Sequence, residues 1–239
     1  MKLNKPKLIH LFMFKKILFI LFSISMSSQN IKVEYSLNIL KDESVLKKDG
    51  ISTFYKNAMD GAKNVKFELL IDKDKSFFYK KDILNQNTIE TKMALLISEA
   101  DNPIYSFNNN IFKKIEETSS FFNKPIIVKD TLLTNWELTN ETKKINGYTC
   151  YKAAAKYKIV NPDVFYHSVV AWYCPEIPSQ MGPRGFGGLP GLILELQYRE
   201  IVFGATLIEK TNDPVIINFN SEIITQEQYD KKILEIRNN

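Results

Sequence analysis

The sequence predicts an α+β fold that is mostly β, built as a single curved antiparallel sheet, a meander, with a helix packed on its inner face and a second helix at the C-terminus. Apolar and polar residues alternate along most of the chain, the links between predicted strands are short, and apolar residues at helical spacing stand out in two segments. Alternation with period two is typical of antiparallel strands that cover one side of a core.

The alternation is clearest at residues 31–40 and 65–72, where apolar residues occupy every second position. Further strands are predicted at 75–81, 88–97, 111–116, 132–138, 148–160, 167–174, 192–198 and 201–210. Only Arg199 and Glu200 separate the last two, which is the length of a tight hairpin link. Short links between successive strands favour a meander, because parallel strands need long crossovers.

Two segments have the pattern of helices. Between the first two strands, apolar residues recur at helical spacing, namely Phe54, Tyr55, Ala58, Met59 and Ala62. Ser52 or Thr53 precedes them as a candidate N-cap. Near the end of the chain, Thr225 and Gln228 have the spacing of a capping box. The apolar side of that final helix consists of Tyr229, Ile233 and Ile236.

Residues 1–28 predict a secretory signal peptide that is not part of the fold. Lys15 and Lys16 form a basic region, the apolar run 17–24 follows, and cleavage is expected near Ser27 or Ser28. An uncleaved anchor is the alternative, although that run is shorter than the roughly 20 residues of a membrane-spanning helix. Residues 1–12 are interpreted as an extension upstream of the natural start of the protein. We therefore expect the mature protein in the periplasm or at the cell surface, without a transmembrane helix.

The positive charge of the chain belongs to this signal. The full sequence has 32 basic and 27 acidic residues, and residues 1–28 contain five lysines and no acidic residue. The mature chain is therefore balanced, and nothing in it calls for a nucleic acid or an anionic membrane as partner. Residues 29–239 are enough for one core and show no repeat, so a single domain is expected.

Cys150 and Cys174 are the two cysteines of the chain. In an exported protein an even number of cysteines favours a disulfide, and closing this loop would stabilise the fold by roughly 3 kcal/mol. Two buried thiols are the alternative. No spacing typical of zinc sites accompanies these residues, so no metal and no cofactor is predicted.

Five of the nine glycines crowd into residues 182–191, together with Pro183 and Pro190. Such a density excludes a helix or a strand interior, because Gly loses entropy there and Pro lacks the backbone donor. A shaped loop is predicted, followed by a buried strand. The loop fails both phosphate-binding patterns, since Leu192 and Ile193 stand where a P-loop has Lys and Ser or Thr, and Pro190 interrupts G-x-G-x-x-G.

At this loop the chain resembles the GLPGLI family, a group of exported bacterial proteins named after the string found here at 188–193. The segments 171–183 and 136–153 are also similar to the family pattern, with its Ile-Pro step, Gly-Pro turn and Ile-x-Gly-Tyr element. The resemblance covers about residues 130–198. The family motif maps onto Gly182, Pro183, Gly188, Leu189, Pro190, Gly191, Leu192 and Ile193. The resemblance implies kinship and export, and it implies no reaction.

Three functions follow as hypotheses. The first is a non-enzymatic binding or accessory module of the envelope that contacts a partner protein through the loop, where Trp172, Tyr173, Arg184 and Phe186 form a candidate recognition surface. The second is a periplasmic carrier of an apolar small molecule or lipid. The third is a hydrolase using carboxylates near the motif, with Glu195 as the foremost candidate. No catalytic residue is assigned, since His167 is the one histidine of the mature chain and lies on a strand flank.

Overall fold

A computed structural model describes residues 29–83, 87–116, 124–160 and 164–238. The predicted signal peptide lies outside the described residues. The strands are β1 (Asn30–Ile39), β2 (Lys66–Asp72), β3 (Lys75–Lys80), β4 (Ile104–Phe107), β5 (Asn110–Ile115), β6 (Ile126–Thr131), β7 (Glu137–Ile145), β8 (Tyr148–Val160), β9 (Val164–Cys174), β10 (Leu192–Tyr198), β11 (Ile201–Thr211) and β12 (Glu222–Thr225). The helices are α1 (Glu43–Leu46), α2 (Ser52–Ala62), α3 (Ile89–Ser98) and α4 (Gln226–Asn238). The predicted mostly β, α+β class is confirmed.

All twelve strands belong to one sheet, in the order β12, β6, β5, β4, β3, β2, β1, β11, β10, β9, β8, β7. Every neighbouring pair is antiparallel except β12 and β6, which are parallel. The sheet is therefore mixed, and the predicted antiparallel meander is wrong at this edge and also where β1 pairs with β11, which does not follow it in the chain.

The segment 212–221 explains the parallel edge. The carbonyl of Asp213 accepts a hydrogen bond of 2.8 Å from the side chain of Asn30 on β1. The ring of Phe219 lies 5.4 Å from that of Tyr105 on β4 and 5.1 Å from that of Phe112 on β5. The chain thus crosses the outer face of the sheet before it enters β12, so it reaches β6 from the end that makes the pair parallel.

Two adjacent residues show that the sheet curves strongly. The Cβ position of Gly185 lies 3.1 Å from side-chain atoms of Ile104 on β4 and of Ile111 on β5. The ring of the next residue, Phe186, lies 5.7 Å from that of Tyr157 on β8, a strand seven places from β4 in the sheet order. Neighbouring residues reach strands so far apart only because the sheet wraps around the loop that contains them. The predicted curvature is confirmed.

The predicted strand at 88–97 is wrong, because this segment is helix α3. Its buried residues are Thr91, Ala94, Leu95 and Ser98, a spacing of three and four that belongs to a helix. The hydroxyl of Thr88 caps the first turn by accepting a hydrogen bond of 3.2 Å from the amide of Thr91. In the sequence this helical spacing is hidden by the apolar run 93–97, which is also typical of a buried strand.

The predicted strand at 132–138 is also wrong over most of its length, since β7 begins at Glu137. Trp136 explains the irregular backbone that precedes it. Its indole N–H donates to the carbonyl of Gly187 at 2.8 Å and to that of Leu133 at 3.2 Å. The segment is thus tied to the glycine-rich loop and not to a neighbouring strand.

The two predicted helices are present. In α4, the amide of Gln228 donates to the Thr225 hydroxyl at 3.2 Å and the amide of Thr225 donates to the Gln228 side chain at 2.8 Å, which is the predicted capping box. In α2, neither Ser52 nor Thr53 caps the helix, because Ile51 holds the N-cap position without a side-chain hydrogen bond. No helix among the described residues is long and apolar enough to cross a membrane.

Helices α2 and α3 pack closely at Gly61. A Cβ at this position would stand 2.0 Å from the backbone oxygen of Glu90, at the start of α3. Glycine is therefore required where the two helices cross, and the crossing brings the end of α3 toward the inner face of the sheet.

We predict that Gly61→Ala destabilises the protein by about 2 kcal/mol. Alanine favours a helix by about 1 kcal/mol relative to glycine, but forcing α3 away from α2 costs about 3 kcal/mol. Urea unfolding followed by circular dichroism measures the difference. Gly204→Ala is the control, because the nearest atom to its Cβ position is the Ser36 hydroxyl at 3.8 Å. Equal stability of the two variants would contradict the helix crossing.

Candidate functional site

The loop between β9 and β10, residues 175–191, folds against itself inside the curved sheet. The amide of Gly188 donates to the carbonyl of Gln180 at 2.8 Å, and Met181 pairs with Gly187 as an isolated antiparallel bridge. Where the loop ends, the amide of Ile193 donates to the carbonyl of Met181 at 3.1 Å. The predicted shaped loop is confirmed.

Glycine is needed where backbone meets backbone. A Cβ on Gly187 would lie 2.5 Å from the carbonyl oxygen of Gln180, and one on Gly191 would lie 2.3 Å from the carbonyl oxygen of Cys174. Among the motif residues, Gly182, Pro183, Leu189, Gly191, Leu192 and Ile193 are buried, Gly188 is half-buried and Pro190 is exposed. The motif is therefore a packing element of the fold.

The candidate recognition surface is not exposed as predicted. Arg184 is only 8% exposed, Phe186 is 6% exposed, and Tyr173 is buried. Trp172 is half-buried, with the Lys143 ammonium 4.4 Å from its ring centre. The expected exposure is therefore not found: the sheet wraps around the loop, so that Arg184 and Phe186 point into the protein, and Tyr173 is buried on β9.

The predicted disulfide is also wrong. Cys150 and Cys174 are free thiols, both buried, on the adjacent strands β8 and β9. Burial raises the pKa of both thiols, that of Cys150 to about 11, and the neighbouring Cys174 adds to the effect on Cys150. The prediction rested on export and an even cysteine count, and the structure has the alternative of two buried thiols.

Arg184 lies at the tip of the loop and forms a buried ion pair. Its φ of 56° is in the left-handed region, which is unusual for a residue with a side chain. The guanidinium donates to the Glu99 carboxylate at 2.7 Å and to the Glu99 backbone carbonyl at 3.3 Å. Glu99 itself has φ 50° and follows α3. Two strained backbone positions thus bring these side chains together.

Aromatic rings surround this ion pair. The guanidinium carbon of Arg184 lies 4.8 Å from the ring centre of Tyr198, and the Phe186 ring lies 6.0 Å from that of Tyr198. The Tyr198 hydroxyl donates to the backbone carbonyl of Ser98. Tyr157 packs edge-on against Phe186. The guanidinium is therefore held on one side by rings and on the other by a carboxylate.

Lys113 brings a second cation to the same place. It lies on β5 between Ile111, which touches the loop at Gly185, and Ile115, which belongs to the cluster that packs against Tyr229 of α4. Its ammonium lies 5.5 Å from the Tyr229 ring centre. Burial lowers the pKa of Lys113, and the charge of Arg184 lowers it further, against the opposing effect of carboxylates that include Glu99.

Carboxylates line the remaining side. Asp230 on α4 and Asp130 on β6 are both within electrostatic range of Lys113. Burial raises the pKa of Asp230, while a hydrogen bond of 2.7 Å from Gln226 opposes the rise. Burial also works against ionisation of Glu99, but the charges of Arg184 and Lys113 outweigh it and hold its pKa below the usual value.

We call this arrangement the charged cleft and define it by Glu99, Lys113, Tyr157, Arg184, Tyr229 and Asp230. The Glu99 side chain is 54% exposed, so this end of the group is in contact with solvent. From the sequence only Arg184 was a candidate. Glu99 and Lys113 carry no local signal, since both lie far from Arg184 in the chain and approach it only in the folded protein.

Glu195, the foremost carboxylate for a hydrolase, lies outside this cleft. Its side chain accepts a hydrogen bond of 2.6 Å from Lys143 on β7. That lysine also contacts Trp172. Glu195 is therefore the partner of a cation on the sheet surface.

A known protein family matches a part of the chain that includes the loop. A family described as protein of unknown function (Porph_ging) matches residues 164–195, which include the string at 188–193. This match does not carry the GLPGLI name, so that resemblance stays a prediction. No curated protein matches the chain.

Two solved structures of PNGF-II share the fold. The structure in space group P21 has a TM-score of 0.53 at 17% identity, and the structure in space group C2 has 0.54 at 16%. Each covers 88% of this chain, and the chain spans 34% of PNGF-II, about a third. At this identity the likeness concerns the fold alone.

We predict that Glu99→Gln destabilises the protein by about 1.5 kcal/mol at pH 7, because it leaves buried Arg184 without a counter-charge while half of the Glu99 side chain faces water. The folded-state pKa of Glu99 is lowered, so its stabilising effect is present above the unfolded value, 4.5, and is lost as the pH falls through the folded one. The difference in the free energy of unfolding between wild type and variant should therefore become smaller as the pH falls below 4.5. Urea denaturation at several pH values measures it.

The control for this prediction is Glu43→Gln. It removes an ion pair with Lys41 in which both side chains are exposed, and it should change stability by less than about 0.5 kcal/mol at any pH. A difference between wild type and Glu99→Gln that does not depend on pH would contradict the ion-pair assignment.

Proposed function

We propose that this protein is an exported, non-enzymatic binding module of the cell envelope, of the GLPGLI type, and that it holds an anionic group of its ligand in the charged cleft. The observation that carries the proposal is the Lys113 ammonium. It is half-buried near Arg184, and no carboxylate among the described residues forms an ion pair with it.

A half-buried ammonium without a direct ion-pair partner is unfavourable, and a second cation near it raises the cost. Arg184 already has a counter-charge in Glu99. Of these two cations, Lys113 is therefore the one whose charge a ligand can neutralise. A carboxylate, sulfate or phosphate entering the cleft would accept a charge-assisted hydrogen bond from Lys113. The field of Arg184 would favour the same anion.

The scaffold suits binding, because the cleft is formed by parts of a rigid sheet. Lys113 lies within β5, Tyr157 within β8, and Arg184 on a loop whose backbone is hydrogen-bonded at both ends. Side chains held in this way lose little freedom when a ligand arrives, so the geometry is preorganised.

The two alternative functions find less support. A carrier of an apolar molecule needs a roomy apolar cavity, whereas large side chains fill the interior of the described sheet, among them Tyr35, Phe67, Phe78 and Phe203. A hydrolase built on Glu195 would need that carboxylate in a cleft, and it pairs with Lys143.

Export rests on the pattern of residues 1–28 and gives its own prediction. The full chain with a C-terminal affinity tag, produced in a Gram-negative host, should be recovered from the periplasmic or surface fraction with an amino terminus near Ser27 or Ser28. Deletion of residues 1–28 should leave the protein in the cytoplasm. N-terminal sequencing of the fractions measures this, and retention of the intact chain in the cytoplasm would refute export.

The ligand site gives a second prediction. Lys113→Met should weaken the binding of citrate or sulfate at least tenfold, because a charge-assisted hydrogen bond contributes about 1.5–3 kcal/mol. Affinity should also fall as the pH rises through the lowered pKa of Lys113, since the neutral amine loses its charge. Isothermal titration calorimetry on residues 29–239 measures both effects.

Lys114→Met is the matched control. Lys114 is the next residue of β5, points to the opposite face of the sheet and pairs with Glu116 at 2.6 Å. It should leave anion affinity unchanged. Equal losses in both variants would indicate general charge attraction, and no measurable binding of either anion to the wild type would overturn the proposed site.

A further inference from the structure

A second recess lies at the far ends of two hairpins, apart from the charged cleft. The turn between β2 and β3, the turn between β4 and β5, and residues 178–181 of the loop enclose a volume of about 380 Å³. Its uncharged polar lining consists of Ser106, Asn108, Asn109, Asn110, Ser179 and Gln180. The volume falls within the range of small-molecule sites. None of these residues belongs to the charged cleft.

The backbone around this recess is held in a defined shape. Asn108 and Asn109 have φ values of 50° and 58°, and they form a two-residue hairpin turn closed by the pair Phe107 and Asn110. Two consecutive positive φ values are typical of a type I′ turn, which asparagine tolerates well. On the opposite wall, the carbonyl of Gln180 accepts from the amide of Gly188 at 2.8 Å. The amide side chains are thus presented from fixed positions.

Ser106 is the second observation that points to a ligand. It is only 4% exposed, yet its hydroxyl has no hydrogen-bond partner among the described residues. No fully buried polar side-chain atom of those residues lacks a partner, so the hydroxyl must open into the recess that the residue lines. A nearly buried hydroxyl directed into a polar recess is ready to bond a ligand.

We propose that this recess binds a neutral polyhydroxylated ligand, a saccharide unit of one or two rings. Amide and hydroxyl side chains both donate and accept hydrogen bonds, as do the hydroxyls of a sugar. The charges of Lys73 and Asp74, which also line the recess, are opposite, so the recess offers no net charge to an ion. Leu132, Pro178 and Met181 supply apolar surface for the C–H faces of a sugar ring.

Saturation-transfer-difference NMR on residues 29–239 tests this proposal with maltose, cellobiose and N,N′-diacetylchitobiose as probes. We expect transfer to at least one of these sugars. The double variant Ser106→Ala/Gln180→Ala should weaken that binding at least tenfold, because it removes two groups that face the ligand. The Ser106 hydroxyl bonds no described residue, and the Gln180 side chain is exposed, so the variant should fold normally.

Gln197→Ala is the matched control, since it removes an amide on β10 that lies outside the recess and donates to the Arg199 carbonyl. It should bind sugar as the wild type does. Lys113→Met should likewise leave sugar binding unchanged, which separates this recess from the charged cleft. Absence of transfer to all three sugars, equal transfer to wild type and double variant, or binding of an extended peptide in place of a sugar would overturn the proposal.

Discussion

Close contact between backbone segments inside a curved sheet is the constraint on which the rest of this structure depends. The loop at 175–191 fits within the sheet because Gly187 and Gly191 let it approach Gln180 and Cys174 where a Cβ has no room. Glycine at such points loses more conformational entropy on folding than a residue with a side chain. The buried residues Leu189, Leu192 and Ile193 offset that cost by hydrophobic burial. The glycines and the leucines of the motif are therefore parts of one packing solution.

The charged cleft is a consequence of that packing. Once the loop lies inside the sheet, its tip contacts β4 and β5 at Gly185 and β8 at Phe186. The residue before them is Arg184, which is buried in a left-handed conformation. An arginine in this position needs a counter-charge, and Glu99 supplies it from the end of α3, which the close crossing at Gly61 brings within reach. Lys113 then lies near Arg184, a cation that already has its counter-charge in Glu99.

The sequence could predict those features whose signals are local. The alternation of apolar and polar residues predicted the bounds of β1, β2, β8 and β10 closely. The capping-box pair Thr225 and Gln228 predicted the start of the final helix. The errors arose where a segment fitted both a strand and a helix pattern, or where the structure depends on contacts between residues far apart in the chain. The run 93–97 is apolar enough for a strand, so the helical spacing of Thr91, Ala94 and Ser98 was missed. The parallel edge depends on a crossing segment that has no period at all.

The candidate site was predicted less well than the fold, for a reason that concerns distance along the chain. Arg184 was singled out, but its burial could not be inferred, because it follows from the wrapping of strands that lie seven places apart in the sheet. Neither Glu99 nor Lys113 stands near a motif, and the Asn108 and Asn109 turn is distinguished only by two residues that tolerate positive φ.

The groups that could contact a ligand lie largely outside the segment that matches a family. Residues 164–195 supply β9, the loop and the start of β10, and their conspicuous residues are buried for packing. Glu99, Lys113, Ser106 and Asn108 come from earlier parts of the chain. The loop supplies the scaffold and the position of its tip, while residues on β5 and on the β4–β5 turn set the charge and hydrogen bonding around it. Shared loops of this kind therefore establish a common architecture, and the chemistry of the ligand must be determined from the residues that surround the loop.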